Sequence, residues 1–225
     1  MTSRIAVVVF PGTNCEHDAV VALDQLGADA SLVFHTETSL KGFDGIVLPG
    51  GFAHGDYVRP GAIARFSPIM DAVSAFGNDG GPILGICNGF QVLCEAQLLP
   101  GALQKNRGLT FLCTPTTLIV SSTRSALTAT ATVGQELSIP INHFSGSYTC
   151  DSETLSMLRD QERIVLRYRE NPNGSIDDIA GITNEAGNIV GLMPHPERAI
   201  SSLLGSQDGN VLLCSFLHSS STAQV

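Results

Sequence analysis

Hydrophobic residues along the first hundred positions of the chain switch between two repeats. The run IAVVVF (residues 5–10) is unbroken and β-branched, the pattern of a strand buried on both faces of a parallel sheet. EHDAVVALDQLGA follows, with Ala19, Leu23 and Leu26 at helical spacing and Gly27 closing the stretch. ASLVF (30–34) and DGIVLPGG (44–51) predict two further strands. AIARFSPIMDAVSAF predicts one helix, with Ile63, Phe66, Met70 and Val73 on its apolar stripe. PILGIC is the next strand, and Phe90, Leu93, Cys94 and Leu98 stripe the helix after it. This alternation predicts an α/β fold: an open, mostly parallel sheet flanked by helices.

From about residue 110 the pattern changes. TPTTLIVSST, ALTATATV and ELSIPINHF alternate between apolar and hydroxyl-bearing residues, predicting antiparallel strands. They read as an appended antiparallel layer rather than a second domain. RIVLRYR and IAGITNEAGNIVGLMPHPE continue as strands with a turn at NEAGN, and DGNVLLCSFLH predicts a closing helix. The polar end SSSTAQV lacks an apolar face, so a single domain is expected over residues 1–218 and a disordered tail over 219–225.

Composition narrows the function classes. The 225 residues are 43% hydrophobic, enough for a proper core, and the formal net charge of -9 argues against nucleic acid or an anionic membrane as partner. Six cysteines are scattered with no C-x-x-C pair, which fits a reducing compartment better than a disulfide framework. No apolar run approaches membrane-spanning length, and Pro11-Gly12 interrupts the first. A cytoplasmic location is expected. No metal-ligand spacing is visible in the sequence.

One stretch carries candidate chemistry. Gly85-Ile86-Cys87-Asn88-Gly89 lies where an apolar strand gives way to a helical pattern, with the spacing of a nucleophile elbow and cysteine in place of serine. Such a turn holds the thiol at a helix N-terminus and leaves the Asn88 N–H free for an oxyanion. A cysteine nucleophile needs a base, and the base an orienting group. In GLMPHPERA the prolines push Met193 and His195 towards extended geometry. In an extended segment His195 and Glu197 project to the same side, so Glu197 can accept from His195 Nδ1. LPGG ends the strand before the elbow, and the Gly51 N–H is the candidate second oxyanion donor. A phosphate cradle at Gly50-Gly51 lacks the lysine that would follow it.

These residues resemble a known family. The GxCxGxQ elbow, the PGG loop and the downstream histidine–x–glutamate are similar to those of class I (triad) glutamine amidotransferases, whose sheet is flavodoxin-like. More narrowly, PGTNCEHD, LPGGFAHGDYVRPGAIA, GICNGFQVL, NPNGSIDDIAGITNEAGNIVGLMPHPERA and LLGSQDG resemble the family of stand-alone glutaminase subunits of phosphoribosylformylglycinamidine synthase, in purine synthesis. The resemblance implies Cys87 as nucleophile, His195 as general acid–base and Glu197 as its orienting partner. It also implies oxyanion donors at Gly51 and Asn88, and contacts to bound glutamine from Gly50, Gln91 and His143. It implies no cofactor in this chain, with ATP and magnesium used by a partner synthetase subunit beside a small accessory subunit. The chain departs from the family at His143-Phe144-Ser145-Gly146, where histidine-glycine-glutamate-glycine is usual, a loop expected to border the glutamine site or the synthetase contact. The rival readings are the glutaminase of another amidotransferase, a DJ-1/PfpI-like cysteine hydrolase and a non-catalytic binding subunit.

Overall fold

The structure, a computed structural model, describes residues 2–222. A nine-stranded sheet forms its centre, in the order β2-β1-β3-β4-β11-β10-β9-β6-β7. The first five in that order are β2 (Asp29–Phe34), β1 (Arg4–Val9), β3 (Gly45–Leu48), β4 (Ile83–Ile86) and β11 (Ile189–Leu192), all pairing in parallel. β3, β4 and β11 are buried along their whole length, in keeping with sequences made only of Ile, Val, Leu and one glycine each. β10 (Ile179–Thr183), β9 (Ile164–Tyr168), β6 (Leu112–Val120) and β7 (Glu136–His143) extend the same sheet, antiparallel at every step. Much of the expected antiparallel region therefore continues the main sheet. The separate antiparallel sheet is small, pairing β5 (Ala102–Lys105) with β8 (Ser145–Thr149).

Helices α1 (Glu16–Gln25), α2 (Ile69–Asn78), α3 (Asn88–Glu95), α4 (Ser152–Asp160) and α5 (Gly209–Thr222) flank the sheet. Three local expectations are corrected. The helix expected across residues 62–76 is two pieces, a short 3-10 turn over Ala64–Phe66 and then α2, because Ser67 before Pro68 is forced to extended geometry. Ile63 and Phe66 consequently face solvent, and the buried stripe is Ile69, Met70 and Val73. ALTATATV forms turns rather than a strand; its Ala126 carbonyl accepts from Ser215 and Ser219 of α5. Ser219–Thr222 are helical, not an irregular tail, because Ser220 is buried and each hydroxyl there bonds a carbonyl of the preceding turn. The rest of the expected tail, 223–225, lies outside the described residues. No helix among the described residues is long and apolar enough to cross a membrane.

Strand order decides what meets what. β1, β3, β4 and β11 are consecutive neighbours, so the loops leaving their carboxyl ends lie side by side. Cys15, Gly50-Gly51, Cys87 and His195 are each a few residues beyond one of those ends. The far edge also returns to this point: the His195 N–H donates to the Pro140 carbonyl of β7 at 2.8 Å.

Candidate active site

At the end of β4 the backbone turns so sharply that Cys87 sits at φ 51°, ψ -104°, a left-handed conformation costly for a residue with a Cβ. The glycines around it make the turn possible. A Cβ at Gly89 would overlap the Leu48 carbonyl oxygen of the neighbouring strand, and one at Gly85 would come 2.8 Å from the Gly89 carbonyl carbon. Cys87 is the N-cap of α3, and its thiol lies 3.8 Å from the Asn142 carbonyl and beside the His195 ring. Asn88 opens the helix, so no intrahelical carbonyl satisfies its N–H.

His195 and Glu197 are both almost wholly buried, and Nδ1 lies 2.6 Å from Glu197 Oε1. The pairing is as expected but its geometry is not. Pro196–Arg198 is a 3-10 turn, which folds the carboxylate back beneath the ring instead of projecting it from an extended segment. Burial opposes a charge on His195, but Glu197, and after it Cys87, hold the imidazolium well above the ordinary histidine range. His195 Nε2 has no nitrogen or oxygen partner, and the Cys15 and Cys87 sulfurs are the groups that interact with the ring there.

The expected glycines stand between these groups. A Cβ at Gly50 would lie 2.7 Å from His195 Cε1, 3.1 Å from Cys15 Sγ and 3.5 Å from Cys87 Cβ, so any larger residue would fill the space where these three side chains meet. Gly51 has φ 147° and is pressed against the loop after β1, where a Cβ would come within 2.7 Å of the Asn14 nitrogen. Gly51, Cys87, Gln91, His143 and His195 all line one cavity of about 830 Å³.

Two expected contact residues have protein partners already. Gln91 Nε2 donates to the Ser145 carbonyl at 2.6 Å, and its Oε1 accepts from Asn88 Nδ2 at 2.9 Å. Its amide thus ties the elbow helix to the Phe144-Ser145 loop. His143 is buried beside Asn106, whose Nδ2 is committed to the carbonyls of Thr110 and His143. Asn106 Oδ1, 3.0 Å from His143 Nδ1, must therefore accept, which places the His143 proton on Nδ1 and a free lone pair on Nε2. Burial, then the neighbouring His195, push its pKa down to about 4, so the ring is neutral.

Among the cavity-lining residues that sequence reasoning did not single out, two bear directly on the site's chemistry. Cys15, the N-cap of α1, brings its sulfur, His195 and Glu197 to within 4.8 Å of one another. A metal could use that donor set, but Glu197 Oε1 and His195 Nδ1 already share a hydrogen bond there. The Cys15 sulfur also accepts from Arg198 Nη2 at 3.2 Å, and Arg198 is paired with Asp18 at 3.0 Å. The signal was its place in PGTNC, a loop at the carboxyl end of a parallel strand. Asp56 is the other; its Oδ1 accepts from Asn88 Nδ2 at 3.1 Å. Nothing in the local pattern of AHGDYV points to it.

The architecture matches known proteins along nearly its whole length. The CobB/CobQ-like glutamine amidotransferase domain matches residues 2–209. The phosphoribosylformylglycinamidine synthase subunit PurQ of Rubrobacter xylanophilus is 53% identical over 214 residues, covering 95% of this chain and 97% of that protein. The protein of the same name from Lacticaseibacillus casei is 49% identical, covering 99% and 98%. A chain of the PurLQS structure from Thermotoga maritima superposes with a TM-score of 0.90 at 41% identity, covering 97% of this chain and 99% of that one. A GMP synthase subunit from Thermoplasma acidophilum shares the fold, with a TM-score of 0.68 at 20% identity, covering 99% of this chain and 96% of that one. The chain belongs to the CobB/CobQ-like glutamine amidotransferases and, within them, to the PurQ subunits of phosphoribosylformylglycinamidine synthase.

Proposed function

We propose that the chain is the glutaminase subunit of a cytoplasmic phosphoribosylformylglycinamidine synthase, and that Cys87, His195 and Glu197 are its catalytic groups. The observation that carries this reading is the strained thiol of Cys87 facing the buried His195–Glu197 pair across Gly50, within one cavity. Two cysteines lie near His195, and the backbone distinguishes them. Cys15 is engaged by Arg198 and Asn14, whereas Cys87 sits on a strained turn with its thiol nearly unpartnered.

With its proton already held on the His195 imidazolium, the Cys87 sulfur attacks the carboxamide carbon of glutamine. The tetrahedral oxyanion is received by the N–H groups of Asn88 and Gly51. Glu197 sustains that imidazolium, which then protonates the departing ammonia. Water activated by the now neutral His195 hydrolyses the γ-glutamyl thioester, releasing glutamate and regenerating the thiol. Gly50 keeps the space between thiol and imidazole open, and His143 offers Nε2 as an acceptor at the cavity wall.

The ammonia is consumed by an ATP- and magnesium-using synthetase subunit, which works beside a small accessory subunit. The matching PurQ relatives and the PurLQS complex support this division of labour. Exposed apolar residues at and beside the cavity mouth, Phe52, Tyr57, Val58 and Leu109, give such a partner a surface to cover.

The test is intact-mass analysis after exposure to a diazo-ketone analogue of glutamine, alone and with the synthetase and small subunits. One adduct is expected on Cys87, blocked by excess glutamine, lost in Cys87→Ser and retained in Cys15→Ser. Labelling of Cys15 in its place would reverse the assignment of the nucleophile. Absence of any adduct under both conditions would remove the glutaminase reading.

A further inference from the structure

Cavity-lining charges are asymmetric. Asp56 is the sole carboxylate among the described lining residues, against Arg59, Lys105 and Arg107. Arg59 is taken up by Glu95, through two hydrogen bonds of 2.5 and 2.7 Å, which leaves Arg107 and Lys105, its Nζ 5.9 Å from the Phe144 ring centroid, as the other cations lining the cavity. A cavity with one carboxylate and a cationic wall complements a zwitterion, with an ammonium at one end and a carboxylate at the other.

Asp56 is also placed with care. It belongs to a loop in which His54, Asp56 and Val58 all have φ between 53° and 70°, a conformation disfavoured for each of them. Asn88 fixes that loop from beneath: its Oδ1 accepts from the Ala53 N–H at 3.0 Å, and its Nδ2 donates to Asp56 Oδ1. One side chain therefore joins the residue after the nucleophile to the carboxylate of the cavity wall. Burial pushes the Asp56 carboxyl up to about 6, although Asn88 lowers it, so the site keeps a partly desolvated anion without a cation.

We infer that Asp56 receives the α-ammonium group of the amino-acid substrate, making it a specificity-determining residue that selects free glutamine over amides lacking an α-amino group. The inference rests on the glutaminase reading above and assigns the recognition of the substrate's far end. Lys105 and Arg107 face the α-carboxylate in the same pose.

The experiment compares two alkylating probes on the full chain, alone and with the synthetase and small subunits: the diazo-ketone analogue of glutamine and the same compound without its α-amino group. Rates of Cys87 modification are read by intact mass. In the wild-type protein the amino-bearing probe is expected to react about 30-fold faster, a difference of ~2 kcal/mol for one charge-assisted hydrogen bond. Asp56→Asn keeps an oxygen for Asn88 Nδ2 while removing the charge. It is expected to slow the amino-bearing probe by about 30-fold and the desamino probe by less than about 3-fold. Equal loss with both probes would overturn the inference, because it would mean that Asp56 acts only by supporting Asn88. Equal wild-type rates with the two probes would overturn it without recourse to any variant. Failure of both probes to modify Cys87, where iodoacetamide still does so, would instead remove the glutaminase reading, and the inference with it.

Discussion

Cys87 shows how much can depend on the size of its neighbours. Its left-handed backbone persists only because residues 85 and 89 carry no Cβ. Gly89→Ala is expected to cost about 3 kcal/mol, because the overlap is with the backbone of β3 rather than with a yielding side chain. A thermal melt of the variant, followed by labelling with the glutamine analogue, should show both stability and thiol reactivity falling together. Glu197 makes a different contribution. It raises the pKa of His195, so in Glu197→Gln burial prevails and the imidazolium is lost at lower pH. The alkaline limb of the glutaminase pH profile should move to lower pH, and kcat should fall by about 100-fold or more. Asp56 carries a cost as well. With its carboxyl raised from 3.8 to about 6 on folding, the folded chain binds more protons than the unfolded one between those values, and stability falls as pH rises through them. Asp56→Asn should therefore be more stable at pH 7.5, by about 1 kcal/mol after allowance for solvent, with the gain shrinking as pH falls through 6 towards 4. Equal melting temperatures at pH 7.5 would refute this.

At the level of elements, the pattern of apolar residues was readable where a single period held. The buried strands β1, β3, β4 and β11, and the elbow leading into α3, stand where their sequences predict. The readings that failed involved competing local signals. Pro68 overrode a stripe that looked continuous, and the hydroxyl residues of ALTATATV lie in turns whose Ala126 carbonyl is taken by α5 instead of a ladder. Of the site, Cys87, the glycines and the His195–Glu197 pair were legible because each needs a special local conformation. Cys15 and Asp56 were not, because their importance comes from strand order and from a contact across 32 residues. The loop bearing Asp56 is anchored at its far end by the Arg59–Glu95 pair, largely exposed on the arginine side. Glu95→Ala should lower stability by no more than about 1 kcal/mol. It should nevertheless speed amide hydrogen exchange across residues 53–60, while exchange in α3 stays slow.

At the level of the whole molecule, the cavity opens beside apolar surface, and the chain carries a formal charge of -9. Tyr57 is 73% exposed on the loop at the cavity mouth, a poor use of an aromatic ring unless another surface covers it. Tyr57→Asp should weaken association with the synthetase subunit by about 10-fold or more, measured by sedimentation or titration calorimetry, because a charge would replace an aromatic contact. Unchanged association would place the docking surface elsewhere on the molecule.

The last strand to be synthesised, β11, is not at an edge: it lies between β4 and β10, in the middle of the sheet. Translation therefore produces the Cys87 turn well before it produces His195. A nascent chain that has already built Cys87 has an open seam where His195 will stand, and the seam closes only when β11, arriving on its hairpin with β10, pairs with β4, made long before it. On the proposed assignment of Cys87 and His195, glutamine consumption thus waits on synthesis through β11. On the same assignment, fragments from interrupted synthesis or proteolysis that end before β11 keep Cys87 without His195, and are expected to release no ammonia into a cell with nothing ready to receive it.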